Sequence, residues 1–235
     1  MTVALACSAC GGVAVELAGW EVLLRPSGAL WIGALRLLVA ADLHLEKGSA
    51  YAAQGQMLPP YDSRDTLGRL AAEAGALSPK AIVLLGDSLH DRRAARRMAT
   101  SDLEAIARLA GASELIWIAG NHDGETPDAL PGSLLSELRI GALRLVHEPL
   151  AGAPGAEAAG HLHPCARLKG GAVSVRRRCF VTDGARIVLP AFGAFAGGLN
   201  VRDPVFRSLF TRPPTAIALG ERRAYPLPWR RLGGD

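Results

Sequence analysis

Along this chain, short apolar runs alternate with polar blocks and with longer stretches in which Ala, Leu and Arg recur at helical spacing. "ALRLLVAADLHLEKG" opens as a strand that runs to about Ala41 and then meets Asp42 and His44. "DSRDTLGRLAAEAGA" follows, with an Asp or Ser expected as N-cap of an amphipathic helix. "KAIVLLGDSLHD" predicts the next strand, ending at Asp87, and "RRAARRMATSDLEAIARLA" is helical in period with a break near Thr100-Ser101. "LIWIAGNHD" is the third strand. Beyond it the helices thin out. "IGALRLVHEP" predicts a strand into His147, and "LAGAPGAEAAG" predicts a loop leading to "GHLHP". "RCFVTDGARIVLPAFG" predicts a hairpin turning at Thr182-Asp183-Gly184, and "TAIALGERRAYPLP" a late strand. Upstream, "EVLLRPSGALWIGALRLLV" predicts a hairpin turning at Pro26-Ser27-Gly28. No repeat, low-complexity run or linker divides the chain. Strands alternating with helices, with β-pairs at both ends, predict one α/β domain over residues 1–235 with mixed sheets, two of them face to face.

Composition narrows the setting. About half of the 235 residues are apolar, ample for one core, yet the apolar stretches are too short for a membrane-spanning helix. The N-terminal "MTVALACSACGG" lacks a basic segment ahead of its apolar residues, so a cytoplasmic protein is expected. Cys7 and Cys10 form a lone CxxC far from Cys165 and Cys179, and all four read as free thiols rather than zinc ligands. Net charge is +4, with arginines clustered in "DRRAARR" and "VRRRC". Such clusters serve as solvated faces or meet a polyanionic partner, and charge alone does not separate the two.

Chemistry gathers where apolar runs end: "DLH" at Asp42 to His44, "GD" at Gly86-Asp87, "GNHD" at Gly120 to Asp123, "VHE" at His147, and "GHLHP" at Gly160 to Pro164. In open α/β sheets ligand sites collect at the carboxyl ends of strands, so these blocks can converge. All six histidines, at 44, 90, 122, 147, 161 and 163, lie in or beside a block. Structural histidines would not be so confined. Asp42 and His44 are two apart, as are His161 and His163, so in an extended segment each pair points one way and can address one centre. Carboxylates, imidazoles and an amide oxygen together suit Mn, Fe or Zn better than Mg or Ca. Two aspartates, four histidines and Asn121 make seven donors, more than one four-coordinate site uses and enough for two ions sharing a carboxylate.

The ordered set D-x-H, G-D, G-N-H-D, H and G-H-x-H resembles that of the calcineurin-like metallophosphoesterases, whose fold is a sandwich of two mixed β-sheets flanked by helices. The resemblance implies one ion held by Asp42, His44 and His163, a second by Asn121, His147 and His161, and Asp87 between them. It further implies that His122 faces the substrate phosphate and gives the leaving oxygen a proton, while two metals activate water and carry phosphate charge. Asp123 either orients His122 or caps the following turn.

Within that superfamily, "GDSLHDRR" and "GNHD" depart from the phosphoprotein-phosphatase pattern G-D-x-x-D-R-G and G-N-H-E. His90, three residues past Asp87, resembles the DNA-nuclease branch, where it serves the scissile phosphate; the alternative is that it orients Asp87. "GQMLPPYDSRDTLGRL" and "RCFVTDGARIVLPAFGAFAGGLNV" resemble the bacterial DNA-ligase-associated metallophosphoesterases, DNA-damage-response endonucleases. That likeness implies a manganese-dependent endonuclease, preferring single-stranded DNA, that works with an ATP-dependent DNA ligase and a helicase. The alternative keeps the chemistry and changes the substrate to a nucleotide or other small phosphoester. Arg92, Arg93, Arg96 and Arg97 are expected on a helix starting near the metals, with Arg92 and Arg96 on one face and Arg93 and Arg97 on another. One pair would line the DNA path, or all four are solvated.

Overall fold

A computed structural model describes residues 4–121, 130–152, 154–170 and 173–235. Its first sheet comprises β1 (Ala6–Cys7), β2 (Val13–Leu17), β3 (Trp20–Leu24), β4 (Leu30–Ile32), β5 (Leu37–Ala41), β6 (Ala81–Leu85), β7 (Glu114–Ile118) and β8 (Ser133–Leu135), paired in that order. Between them come α1 (Lys47–Ala52), α2 (Asp62–Leu77), α3 (Ala94–Arg97) and α4 (Thr100–Ala112). The first five strands pair antiparallel, while β5 to β8 run parallel.

The second sheet is built from β9 (Leu138–Ile140), β10 (Leu143–Val146), β11 (Ala156–Ala159), β12 (Cys165–Gly170), β13 (Val173–Thr182) and β14 (Arg186–Val188). After α5 (Pro204–Leu209) it adds β15 (Thr215–Leu219), β16 (Ala224–Pro228) and β17 (Leu232–Gly233). Its order is β16-β15-β13-β14-β11-β10-β9, with β12 joining β13 to β17. The expected two mixed sheets with flanking helices are present.

Alternation explains why β5, β6 and β7 read as unbroken apolar runs: both of their faces are covered. Leu37, Val39, Val83, Leu85, Ile116 and Ile118 point into the core between the sheets, against Leu143, Ala158, Phe180 and Ile217. Leu38, Ala40, Ile82, Leu84, Leu115 and Trp117 point outward under Leu67 and Leu70 of α2 and Ile106 and Leu109 of α4. The outer face of the second sheet is covered by Phe206 and Leu209 of α5. No helix among the described residues is long and apolar enough to cross a membrane. All four cysteines are free, Cys7 and Cys10 exposed and Cys165 and Cys179 buried.

Four details depart from the sequence reading. The strand before Asp87 stops at Leu85. The "late strand" is a hairpin of β15 and β16. Residues Ala156–Ala159, expected in a loop, form β11, held in parallel between β10 and β14. The N-cap of α2 is Tyr61, without a side-chain bond. Asp62 and Ser63 are committed elsewhere: the Asp62 carboxylate accepts the Gly48 N–H at 3.0 Å, and the Ser63 hydroxyl donates to Glu46 at 2.7 Å.

Candidate metal centre

The carboxyl ends of β5, β6 and β7 lie side by side, as do those of β10 and β11 in the facing sheet. Every polar block therefore leaves a parallel strand at the same end of the sandwich. Asp42 and His44 follow β5, Asp87 follows β6, Asn121 follows β7, His147 follows β10, and His161 and His163 follow β11. The segments past β5 and β6 are laced together: the N–H groups of Asp42, His44 and Leu45 donate to the carbonyls of Gly86, Asp87 and Ser88 at 3.2, 2.9 and 2.9 Å.

Six of these side chains form two triads able to hold an ion each, Asp42–His44–His163 and Asp87–His147–His161. In the first, His44 Nε2 lies 3.2 Å from His163 Nε2, which is 3.3 Å from Asp42 Oδ1. In the second, His147 Nε2 lies 3.2 Å from His161 Nδ1 and 3.5 Å from Asp87 Oδ1. Donor atoms held about 2.0–2.1 Å from one ion at ordinary coordination angles are themselves roughly 2.9–3.4 Å apart. Three of these four donor pairs fall within that spacing and the fourth, at 3.5 Å, lies just beyond it, so the side chains fit a metal. His147 also has its tautomer set: Nδ1–H donates to the Leu85 carbonyl at 3.0 Å, leaving the Nε2 lone pair for an ion. Both oxygens of the buried Asp42 accept the His161 N–H, at 3.1 and 2.9 Å, which ties the two triads together.

The backbone that presents these groups is not extended. Asp42, His44, Asp87, His161 and His163 all have positive φ, between 45° and 70°. Contrary to the expectation from i, i+2 spacing, only Asp42 and His44 share a triad, whereas His161 and His163 serve different ones. Left-handed turns, not the strand pleat, aim these side chains. Glu46, also left-handed at φ 66°, continues the series and is pinned by Ser63, whose Oγ accepts its N–H at 2.8 Å. Glycine is required at 86, where φ is +67° and a Cβ would collide with the His147 ring.

Asn121 is exposed beside Gly120, whose backbone packs on Asp87. His122 and Asp123 lie outside the described residues. His90 joins neither triad; its ring stands edge-on to His44 at 6.0 Å and tilted to Tyr51 at 5.8 Å. The arginine helix is shorter than expected. Only Ala94–Arg97 is helical, so Arg92 and Arg93 precede it, and Met98 turns extended before α4 starts at Thr100. Arg92, Arg93 and Arg96 are exposed, whereas Arg97 binds both Asp91 oxygens, at 3.1 and 2.7 Å, and Ser49 at 3.0 Å. Burial works to raise the Asp91 pKa, but bonds from Arg97 and the Arg93 N–H outweigh it and hold the carboxyl below its ordinary value. Sequence reasoning missed the Leu85 carbonyl behind His147, Tyr51 beside His90 and the Glu46–Ser63 clasp. The first is main chain and the others join segments with no shared motif, so no local signal marked them.

No protein of curated function matches the chain in sequence. Among solved structures, the Pseudomonas putida nuclease MPE is similar at 27% identity and a TM-score of 0.72, over 92% of this chain and 100% of that one. Yfce, a phosphoesterase from E. coli, is 15% identical over 82% of this chain and 98% of its own, with a TM-score of 0.41. Residues 35–168, more than half of the chain and the span that contains both triads, match the calcineurin-like phosphoesterases, and the chain belongs to that family of metal-dependent phosphoesterases.

Proposed function

We propose that this single domain is a dinuclear phosphodiesterase that cuts DNA internally, with preference for single strands, in repair alongside a DNA ligase and a helicase. The observation that carries the nuclease reading is the likeness to the nuclease MPE across nearly the whole of both chains, with both triads intact. Asp42, His44 and His163 would hold one ion and Asn121, His147 and His161 the other, with Asp87 shared. The donor mixture favours manganese, with iron or zinc compatible. Bound there, two divalent ions would supply activated water and positive charge for the phosphate oxygens.

The chain's own groups do the rest. The Leu85 carbonyl holds the His147 proton on Nδ1, so that the neutral ring turns its Nε2 lone pair to the triad. His122 carries the proton delivered to the leaving oxygen. His90, backed by Tyr51, stands next to His44 and contacts the scissile phosphodiester. Arg92, Arg93 and Arg96, exposed just past Asp87, take neighbouring phosphates, while Arg97 is engaged with Asp91.

Digestion of circular single-stranded DNA beside a small chromogenic phosphodiester, with and without added manganese, tests this. Linear products from the circle, absent with Asp87→Ala, support the endonuclease. Hydrolysis of the small ester with an intact circle would replace it with a small-molecule phosphodiesterase.

A further inference from the structure

The segment that follows β14 lies between the metal centre and a second group of cations. On one side, the Phe192 N–H donates to the Ala41 carbonyl at 2.7 Å and the Gly193 N–H to the Asp42 carbonyl at 3.1 Å. Its carbonyls are turned to arginine. Ala191 and Ala194 accept from Arg178 at 3.0 and 2.9 Å, and Phe192 accepts from Arg69, whose guanidinium also stacks 4.8 Å from the Phe192 ring centroid. Both arginines are partly buried, and neither has a carboxylate within ion-pair distance among the described residues. Burial, and then Arg178, lower the Arg69 pKa; burial lowers that of Arg178.

Two open hollows share this pair. One, of about 700 Å³, runs past Arg25, Glu73, Arg177 and Arg222; the other, of about 490 Å³, runs past Arg64, Asp65 and Ala194. Arg25 is neutralised by Glu73 at 2.8 Å. That leaves Arg64, Arg69, Arg177, Arg178 and Arg222 lining the two adjacent hollows, against Asp65 and Glu221 among the described residues. Arg69 and Arg178, partly buried side by side, repel each other until an anion arrives, and the three exposed arginines add to the positive charge around them. Guanidinium forks match phosphate geometry. Five of them spread over two adjacent hollows exceed what one phosphate can use, which favours a polymer.

We propose that this groove holds the phosphate backbone of single-stranded nucleic acid on its way to the paired triads. The proposal rests on the nuclease reading and extends it to a surface away from the arginines that follow Asp87.

The test uses binding, without catalysis. Arg69 and Arg178 brace the 191–194 segment, so the variant is Arg64→Ala/Arg177→Ala/Arg222→Ala, three exposed side chains that make no ion pair or hydrogen bond to another element among the described residues. Fluorescence anisotropy of a labelled oligothymidylate with chelated protein gives Kd across a salt series. Each single-strand contact releases about 0.7 counterion, worth roughly fivefold in affinity at 0.1 M salt. The triple variant should therefore bind about 100-fold more weakly, with a salt slope lower by about two. Wild-type affinity and slope in the triple variant overturn the groove, even while the wild type cuts circular DNA. A wild type that neither binds the oligonucleotide nor cuts the circle overturns the nuclease reading, and the groove with it.

Discussion

Gly86→Ala puts a methyl group where the metal centre has no room. A Cβ at that position would lie 2.6 Å from the His147 Cβ and closer still to two ring atoms. Favourable carbon contacts lie near 3.5–4.0 Å, so the ring must retreat by roughly 1 Å. It cannot do so freely: His147 is 4% exposed, and its Nδ1 is bonded to the carbonyl of Leu85, the residue before the new methyl. Overpacking costs about 1–3 kcal/mol, and the left-handed backbone, φ +67°, about 1 kcal/mol more for alanine. The expected total of about 2–4 kcal/mol corresponds to a Tm lower by roughly 4–16 °C for a chain this long. Gly19→Ala separates the two contributions. Its φ is +80° but nothing stands within 4 Å of its Cβ, so only the backbone cost applies, about 2–4 °C. Calorimetry on chelated protein reads both without the stabilisation that a bound ion would add. Metal titration should then show the ion at the His147 triad weakened by about 10–100-fold in Gly86→Ala, because the ring loses the bond that aims it. If Gly86→Ala melts with Gly19→Ala and binds both ions as the wild type does, the packing of Gly86 on His147 is not what positions the site.

Three further outcomes are expected. His122→Ala should retain both ions by metal analysis yet lose roughly 10²–10⁴-fold in rate, the range of a lost general acid; loss of an ion would instead make it a ligand. Ser63→Ala strands the Glu46 N–H and one carboxylate oxygen in a buried clasp, and should cost about 2 kcal/mol, or roughly 4–8 °C in Tm; an unchanged melt would remove the clasp from the account. Asp91 is held below its ordinary pKa, so its pairing with Arg97 stabilises the fold above the unfolded value near 4 and is lost as pH falls through the lower, folded value. Unfolding of the wild type and Arg97→Gln should differ by a constant amount above about pH 5 and by progressively less below pH 4, down to the share of the Ser49 bond, and a difference independent of pH would refute the pairing.

What could be read from sequence was whatever a single segment carries by itself. Each ligand block follows its own strand, so the end of an apolar run marked Asp42, Asp87 and His147 directly. The Pro26-Ser27-Gly28 and Thr182-Asp183-Gly184 turns were legible for the same reason. β11 was not, because "AEAA" has little intrinsic preference for a strand. It becomes one because β10 and β14 offer backbone on both sides, and because Arg144 and Arg186 reach the buried Glu157 at 3.3 and 2.8 Å. Those partners lie 13 and 29 residues away from it in sequence. The N-cap of α2 failed similarly: Asp62 and Ser63 are good caps whose oxygens are taken by Gly48 and Glu46.

The spacing of the histidine pairs was legible, but the conformation that uses it was not. An extended segment would have sent His161 and His163 to one centre. Positive φ at each sends them to two, with Asp42 bound to the His161 N–H between them. Five of the six triad residues occupy this region, at a cost on the order of 1–2 kcal/mol each for residues that carry a Cβ. Glycine would relieve that cost, while aspartate and histidine tolerate the conformation better than most residues with a Cβ and bring donor atoms that glycine lacks. The backbone strain is concentrated on the atoms that face one another at 3.2 to 3.5 Å, and it is resisted by the ladder joining residues 42–45 to 86–88. Strain gathered where donor atoms converge is what a site built to hold ions requires.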